Sequence, residues 1–320
     1  MQSIGLMSGT SVDGLDVCCA TFEMDRGKWT FHVDCSAGYP YPPDLREKLR
    51  NGVQNMSALE FAAFHSEYGM YLGDCVNEFI RSFKVKPDII SSHGSTVFHE
   101  PDKKIMFQIG DGAAIAARTG IPTVSDFCLN IGGFSNISYR KRTKRIAYDI
   151  SPVNYVINRL CSNIGLEMDR DGLIAYGGKT DADLLASLNS LEYYSQPYPK
   201  SLSREWVEKN VFPLLGRCTL PLKDILRTYY EHCAFQFARA VKPGKRVLVT
   251  GGGAWNKFLI TRMEALSDCN LVIPDRGIVD FKEALVFAFL GVLYMMDIPS
   301  CLKSATGASR DNIGGMLFKV

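Results

Sequence analysis

Ser3-Ile4-Gly5-Leu6-Met7-Ser8-Gly9-Thr10-Ser11-Val12-Asp13-Gly14-Leu15-Asp16 is the stretch that decides the fold. Ser3–Leu6 predicts a short apolar strand, and Leu15–Glu23 a second one returning from it. The residues between are small, polar and glycine-bearing. Glycines let backbone N–H groups converge on an anion, and the hydroxyls of Thr10 and Ser11 add donors. Asp13 can place a magnesium ion through water. A hairpin of this kind can cradle the phosphates of ATP; the same composition also makes an ordinary hairpin turn.

Outward from this loop, Asp25–Lys28 is a turn, and Trp29, Phe31 and Val33 alternate as a third strand. Ala58–Phe83 has helical apolar spacing. Asp88–Ser92 predicts a strand, Asp111–Arg118 a helix closing at Gly120, and Ile121–Val124 a further strand. The opening pattern then returns. Leu129-Asn130-Ile131 is short and apolar, Gly132-Gly133-Phe134 is a glycine turn, and Ser135–Tyr139 and Arg145–Ile150 are strands around a charged turn. Two copies of strand, glycine loop, strand, turn, strand predict two similar domains. Helices at Val153–Ile164, Asp181–Leu188, Leu222–Val241, Asn256–Leu266 and Phe281–Met296, with strands at Arg246–Thr250 and Asn270–Ile273, make the class α/β.

Two more glycine-rich stretches join the opening loop. Asn130–Asn136 offers a facing set of donors around Gly132, Gly133 and Asn136. Val247–Thr250 leads into Gly251, Gly252 and Gly253 and then Asn256, the strand end where a purine or ribose is expected. GxxxxGK[ST], GxGxxG after a strand, HRD and DFG are all absent, which sets aside P-loop, dinucleotide and protein-kinase readings. Asp149, at the end of a strand before Ser151-Pro152, has the position of a general base or of a turn acid. Glu283, early in an apolar helix, is either a functional carboxylate or one favoured by the helix N-terminus. His93 reads equally as a substrate ligand or a satisfied structural histidine. Asp169 and Asp171 read as a turn or surface pair.

The bulk composition narrows the partners. The 320 residues carry 36 basic and 34 acidic side chains, a net charge of +2, which argues against nucleic acid held by bulk charge. The ten cysteines form neither a CxxC pair nor a zinc spacing, and predict buried free thiols in a reducing compartment. No apolar run approaches the roughly 20 residues of a membrane span. The reading is a cytoplasmic protein with a small-molecule substrate, no nucleic acid and no membrane.

With these residues in hand, the chain resembles the anhydro-N-acetylmuramic acid kinases of the actin, Hsp70 and hexokinase-like superfamily. Gly5–Asp16 matches the opening signature of that family. Ser92-His93-Gly94, Gln108-Ile109-Gly110, Leu129–Asn136, Pro199-Lys200-Ser201 with Arg204-Glu205, Gly251–Ala254 with Asn256, Glu283-Ala284 with Phe287-Ala288, and Thr306-Gly307-Ala308 follow in order. The resemblance implies two actin-like (ribonuclease H-like) domains with an interdomain cleft. The first would be 1–128, completed by the C-terminal helix and tail 283–320, and the second 129–282. It implies ATP and Mg²⁺, with phosphates on Gly9, Thr10, Ser11, Val12, Asp13, Gly14, Leu15 and Asp16 and on Gly132, Gly133 and Asn136. Adenosine would lie near Gly251, Gly252, Gly253 and Asn256, and the metal near Asp13 through water.

The DxGPxN base of the family maps onto Asp149, with Pro152 and Asn154 retained, and its glutamate before AxxFA onto Glu283. His93, Gln108 and Asn154 would contact sugar, and a homodimer is implied. The implied reaction phosphorylates the 6-oxygen of the sugar while water opens the anhydro bridge. This chain departs from the pattern at Ser151 and Val153, and at Leu202 and Ser203 in the PKSTGRE stretch. A few dozen residues containing GGQGAPLVP, found in the family before the second hairpin, have no counterpart where Thr123–Cys128 runs into Leu129. That gap is the basis of an alternative, a non-catalytic sugar or nucleotide sensor of the same fold.

Overall fold

The computed structural model describes all residues except 10–11, 101–104, 126–133 and 143. Strands β1 (Gln2–Ser8), β2 (Gly14–Asp25) and β3 (Lys28–Pro40) come first, followed by helices α1 (Pro43–Glu47) and α2 (Ala58–Phe83). Next are β4 (Ile89–Ser92), β5 (Ser95–Glu100), β6 (Ile105–Ile109), α3 (Gly112–Thr119) and β7 (Thr123–Ser125). The middle holds β8 (Phe134–Lys141), β9 (Lys144–Pro152), α4 (Asn154–Ser162), α5 (Leu173–Tyr176), α6 (Ala182–Asn189), α7 (Arg204–Asn210), α8 (Phe212–Gly216) and α9 (Leu222–Ala240). The end runs β10 (Arg246–Leu248), α10 (Lys257–Ser267), β11 (Asn270–Val272), α11 (Arg276–Met295), α12 (Lys303–Thr306) and β12 (Met316–Phe318). The class is α/β, as the alternation of periods predicts.

Contacts divide the chain into two compact units. One is Met1–Gly132 with Phe281–Cys301 and Arg310–Val320; the other is Gly133–Asp280 with Leu302–Ser309. The tail is thus shared out, since Leu302–Ser309 packs with the second unit.

In the first unit a six-stranded mixed sheet has the order β12-β7-β4-β1-β2-β3. β1 pairs antiparallel with β2 and parallel with β4. The strand period of two gives the sheet two apolar faces. Ile4, Leu6, Leu15, Val17 and Cys19 face α2 and α3. Met7, Cys18, Ala20 and Phe22 face α11 through Ala284, Phe287, Ala288 and Val292. α2 begins where the sequence places it because Ser57 and Glu60 form a reciprocal capping box: Ser57 Oγ accepts from Glu60 N at 3.3 Å, and Glu60 Oε2 accepts from Ser57 N at 2.8 Å. All described cysteines are free, and burial between the two helical layers pushes the Cys18 thiol up to about 12.

In the second unit, α9 is the central element. Its Leu226, Tyr229, Tyr230, Cys233 and Ala234 are buried among α4, α5, α6, α10 and β9. Tyr229 Oη donates to Pro152 O at 2.5 Å, tying α9 to the end of β9. His232, in the same helix, is buried between Asn189 Oδ1 (2.7 Å) and Tyr194 Oη (2.9 Å), and burial brings its pKa down to about 3. It is a neutral structural histidine that no motif in the sequence marks. The described strands here form two separate pairs, antiparallel β8–β9 and parallel β10–β11. The apolar segment Leu129–Ile131 of the expected repeat lies outside the described residues. No described helix is long and apolar enough to cross a membrane.

Candidate active site

In the first unit the turn from β1 to β2 carries the opening loop. Val12 takes a left-handed conformation (φ 51°), and its N–H donates to Gly9 O at 3.1 Å. Three contacts hold the ends of this turn. Arg46 Nε donates to Val12 O (3.1 Å), Tyr41 N to Asp13 O (3.1 Å), and Tyr41 Oη to Ser8 Oγ (2.7 Å). Tyr41 Oη also shares a 2.7 Å hydrogen bond with Tyr68 Oη, so a buried chain of hydroxyls runs under the loop. Asp13 is exposed, and Leu15 and Asp16 follow on β2, Leu15 buried and Asp16 half-buried. Gly14 serves packing: a Cβ there would lie 2.7 Å from Tyr39 O of β3. Thr10 and Ser11 lie outside the described residues.

Glu283 sits in α11 one residue before Ala284. Burial, with the charge of nearby Asp16, raises its carboxyl above the usual carboxylate range, although Lys282 opposes this. The same unit joins His93 and Gln108. His93 Nδ1 lies 2.9 Å from Gly94 O, which can only accept, so that nitrogen carries the proton. Nε2 then accepts from the Gln108 amide at 2.8 Å. The SHG and QIG motifs thus meet as one buried pair, with the His93 ring 4.9 Å from that of Phe287.

In the second unit Asp149 lies near the end of β9. Its Oδ2 accepts from Leu202 N at 2.8 Å and from Ser201 Oγ at 2.9 Å. Burial raises this carboxyl above its ordinary value, and the two donors partly offset the rise. Three residues beyond Ser151, Asn154 opens α4. Its side-chain nitrogen lies 3.9 Å from the Cβ positions of Gly252 and Gly253, so it flanks the glycine triplet. Gly251 has φ 86°, a conformation that favours glycine, and nothing lies within 4 Å of its Cβ position. The chain here is open to a ligand approaching the backbone.

Asn256 is committed to the fold. Its Oδ1 accepts from Leu259 N at 3.0 Å as the cap of α10, and its Nδ2 donates to Tyr230 Oη at 2.7 Å. Asn136 is exposed on β8, while Gly132 and Gly133 lie outside the described residues. Asp169 corrects a surface expectation. It is buried, and its carboxylate accepts from Ile174 N (2.8 Å) and Ala175 N (3.2 Å) at the start of α5. The grip of Ser201 and Leu202 on Asp149 escapes sequence reasoning, because the partners are more than 50 residues apart.

The anhydro-N-acetylmuramic acid kinase family model matches residues 1–128 and 128–320. A curated anhydro-N-acetylmuramic acid kinase from Vibrio cholerae serotype O1 is 32% identical over 368 residues, covering 98% of this chain and 97% of the relative. One from Sulfurovum sp. (strain NBC37-1) is 31% identical over 360 residues, covering 98% of each. The aligned spans exceed the 320 residues of this chain, and the family match is interrupted at residue 128. Among solved structures, the activator of the 2-hydroxyisocaproyl-CoA dehydratase from Clostridium difficile with bound ADPNP is 11% identical, with a TM-score of 0.42 over 93% of this chain and 96% of that one. The Acidaminococcus fermentans (R)-2-hydroxyglutaryl-CoA dehydratase component A is 13% identical, with a TM-score of 0.45 over 91% and 97%.

Proposed function

The chain belongs to the anhydro-N-acetylmuramic acid kinase family, and from that membership we infer that it phosphorylates 1,6-anhydro-N-acetylmuramic acid with ATP while water opens the anhydro ring. The product is N-acetylmuramic acid 6-phosphate, an intermediate of peptidoglycan recycling. The observation that carries this reading is the family match along both parts of the chain. The relatives it matches end to end are named as kinases, and nothing in the fold favours a non-catalytic sensor.

Asp149 is the general base. It takes a proton from water as the water oxygen bonds to the anomeric carbon. The bond from that carbon to the bridging 6-oxygen breaks, and the 6-oxygen bonds to the terminal phosphorus of ATP as ADP leaves. A base works best when its pKa approaches the working pH, and the burial that raises the Asp149 carboxyl moves it that way. Gly9–Asp16, with Gly132, Gly133 and Asn136, binds phosphates, and Gly251–Gly253 the adenosine. Asn256 ties off that triplet, its backbone N–H donating to Gly253 O at 3.1 Å. His93, Gln108 and Asn154 serve the sugar, and Glu283 is the second acidic group of the reaction.

Magnesium fits the donors present. Among the described residues no cluster of three metal-ligating side chains occurs, and Asp13 is a single exposed carboxylate on a pinned loop. Mg²⁺ keeps several waters and takes one or two carboxylates plus substrate phosphates, so Asp13 would hold it through water. The ion would supply charge neutralisation on the transferring phosphoryl group. The free thiols suit a reducing compartment, and we place the protein in the cytoplasm as a homodimer. Incubation with the anhydro sugar and Mg-ATP, followed by mass spectrometry, should show the sugar gaining both phosphate and water. Sugar of unchanged mass would overturn the reading.

A further inference from the structure

One downstream segment grips Asp149 at four points. Tyr193 Oη donates to its carbonyl oxygen at 2.6 Å, and its own N–H donates to Lys200 O at 3.3 Å. Ser201 Oγ and Leu202 N both donate to Oδ2, at 2.9 and 2.8 Å. The segment is itself anchored. Leu202 is buried with Tyr193 and Tyr194 against Trp206. Lys200 Nζ donates to Tyr193 O at 2.9 Å and lies 4.5 Å from the centre of the Tyr193 ring. This cation closes the segment on itself, so the donors at 201 and 202 stand on a fixed frame.

Two details give Ser201 a purpose beyond folding. It is exposed, so water would satisfy its hydroxyl at no cost to the core; its bond to a carboxylate is not forced by burial. Both donors also fall on the same oxygen. Among the described residues no hydrogen bond reaches Oδ1. A carboxylate held by one oxygen keeps the other in a set direction, and the attack geometry of a bound water tolerates little displacement of its base.

We propose that Ser201 is a positioning residue of the reaction: with the Leu202 N–H it holds Oδ2 so that Oδ1 is the atom that takes the proton of the attacking water. The proposal rests on the reading of Asp149 as the base. It also gives the third residue of the Pro199-Lys200-Ser201 motif a chemical task.

The test compares Ser201→Ala, Ser201→Thr and Asp149→Asn with wild type, measuring kcat and kcat/KM across the acid and neutral range. Losing a donor to the carboxylate raises the pKa of the base, so the acid limb of the Ser201→Ala profile should move to higher pH. Its plateau kcat should fall on the order of tenfold, the scale of one hydrogen bond to a charged group. KM for ATP should hold. Ser201→Thr, which keeps the hydroxyl, should restore both limb and plateau. An acid limb that superposes on wild type overturns the proposal, whether kcat is unchanged or reduced. A rise confined to the sugar KM also overturns it, since Ser201 would then be a substrate contact. Asp149→Asn separates the two readings. If it is inactive while Ser201→Ala matches wild type, only the positioning role fails; if it turns over normally, the base assignment fails and the positioning role with it.

Discussion

Replacing Gly5 by alanine tests how the sheet of the first unit places Glu283. Gly5 lies on β1 under α11. A Cβ there would sit 1.8 Å from Ala284 O, 2.5 Å from Ala288 N and 2.9 Å from Ala284 C. All three are backbone atoms, so no side-chain rotation relieves the overlap. To restore even 3.0 Å from 1.8 Å, helix and strand must part by at least 1.2 Å, the difference of the two distances. That separation opens the contact of Phe287, Ala288 and Val292 with Met7, Cys18 and Ala20. Overpacking of this kind costs about 3 kcal/mol, the upper end of the usual range. At roughly 2 °C per kcal/mol for a chain of this size, the melting temperature should fall by about 6 °C.

Glu283 precedes Ala284 on the displaced helix, and a shift of about 1 Å at a reacting group costs on the order of 10²-fold in turnover. The assays are thermal melting and ADP release in the presence of the anhydro sugar. Gly216→Ala is the control, because nothing lies within 4 Å of a Cβ there, and it should stay within about 0.5 kcal/mol of wild type. A Gly5→Ala protein with wild-type melting would refute the close apposition of α11 on β1. Lowered melting with wild-type turnover, assayed below the transition, would refute the role of Glu283.

Asp149→Asn keeps the size of the side chain but removes the basic oxygen, so turnover should drop on the order of 10²–10⁴-fold while ATP binding, followed by calorimetry, persists. Asp169→Asn replaces one of two buried acceptors at the start of α5 and should cost about 1–3 kcal/mol in denaturant melts with turnover per folded molecule intact; lost turnover in a stable variant would contradict that structural role. Because the folded-state pKa of Glu283 is raised, its contribution is favourable at acid pH and is lost as pH rises through that raised value, when the fold must bear the buried charge. Glu283→Gln should therefore melt above wild type at neutral pH, with the difference closing on acidification; a gap independent of pH would show that the carboxyl is not the cause.

The local elements were legible in the sequence because their signals are local. The helix over Ala58–Phe83 has its period and its Ser57–Glu60 cap within one turn of its start, and β1, β2, α9 and α10 fall within a few residues of the runs that predict them. Periodicity extends α11 less well: the sequence begins it at Phe281, but it starts at Arg276, where Asp275 Oδ1 accepts from Ile278 N and Arg276 pairs with Asp280. The β5–β6 hairpin and the short helices α5, α7 and α8 carry too few residues for a clear period, and tertiary contacts decide them.

Family membership was legible in the amino-acid order alone, and with it the residue types of the candidate site, because an ordered set of short motifs survives without knowledge of where each side chain points. What those residues do to one another is a matter of packing. The tertiary structure showed that Gly14 makes room for β3, that Asn256 is spent on the cap of α10, that His93 and Gln108 satisfy each other, and that Asp169 is buried. Above all it brought Ser201 and Leu202 onto Asp149. A hydrogen bond between residues far apart in sequence leaves no period and no spacing, since the chain between them is free to vary; only the packed fold fixes that distance.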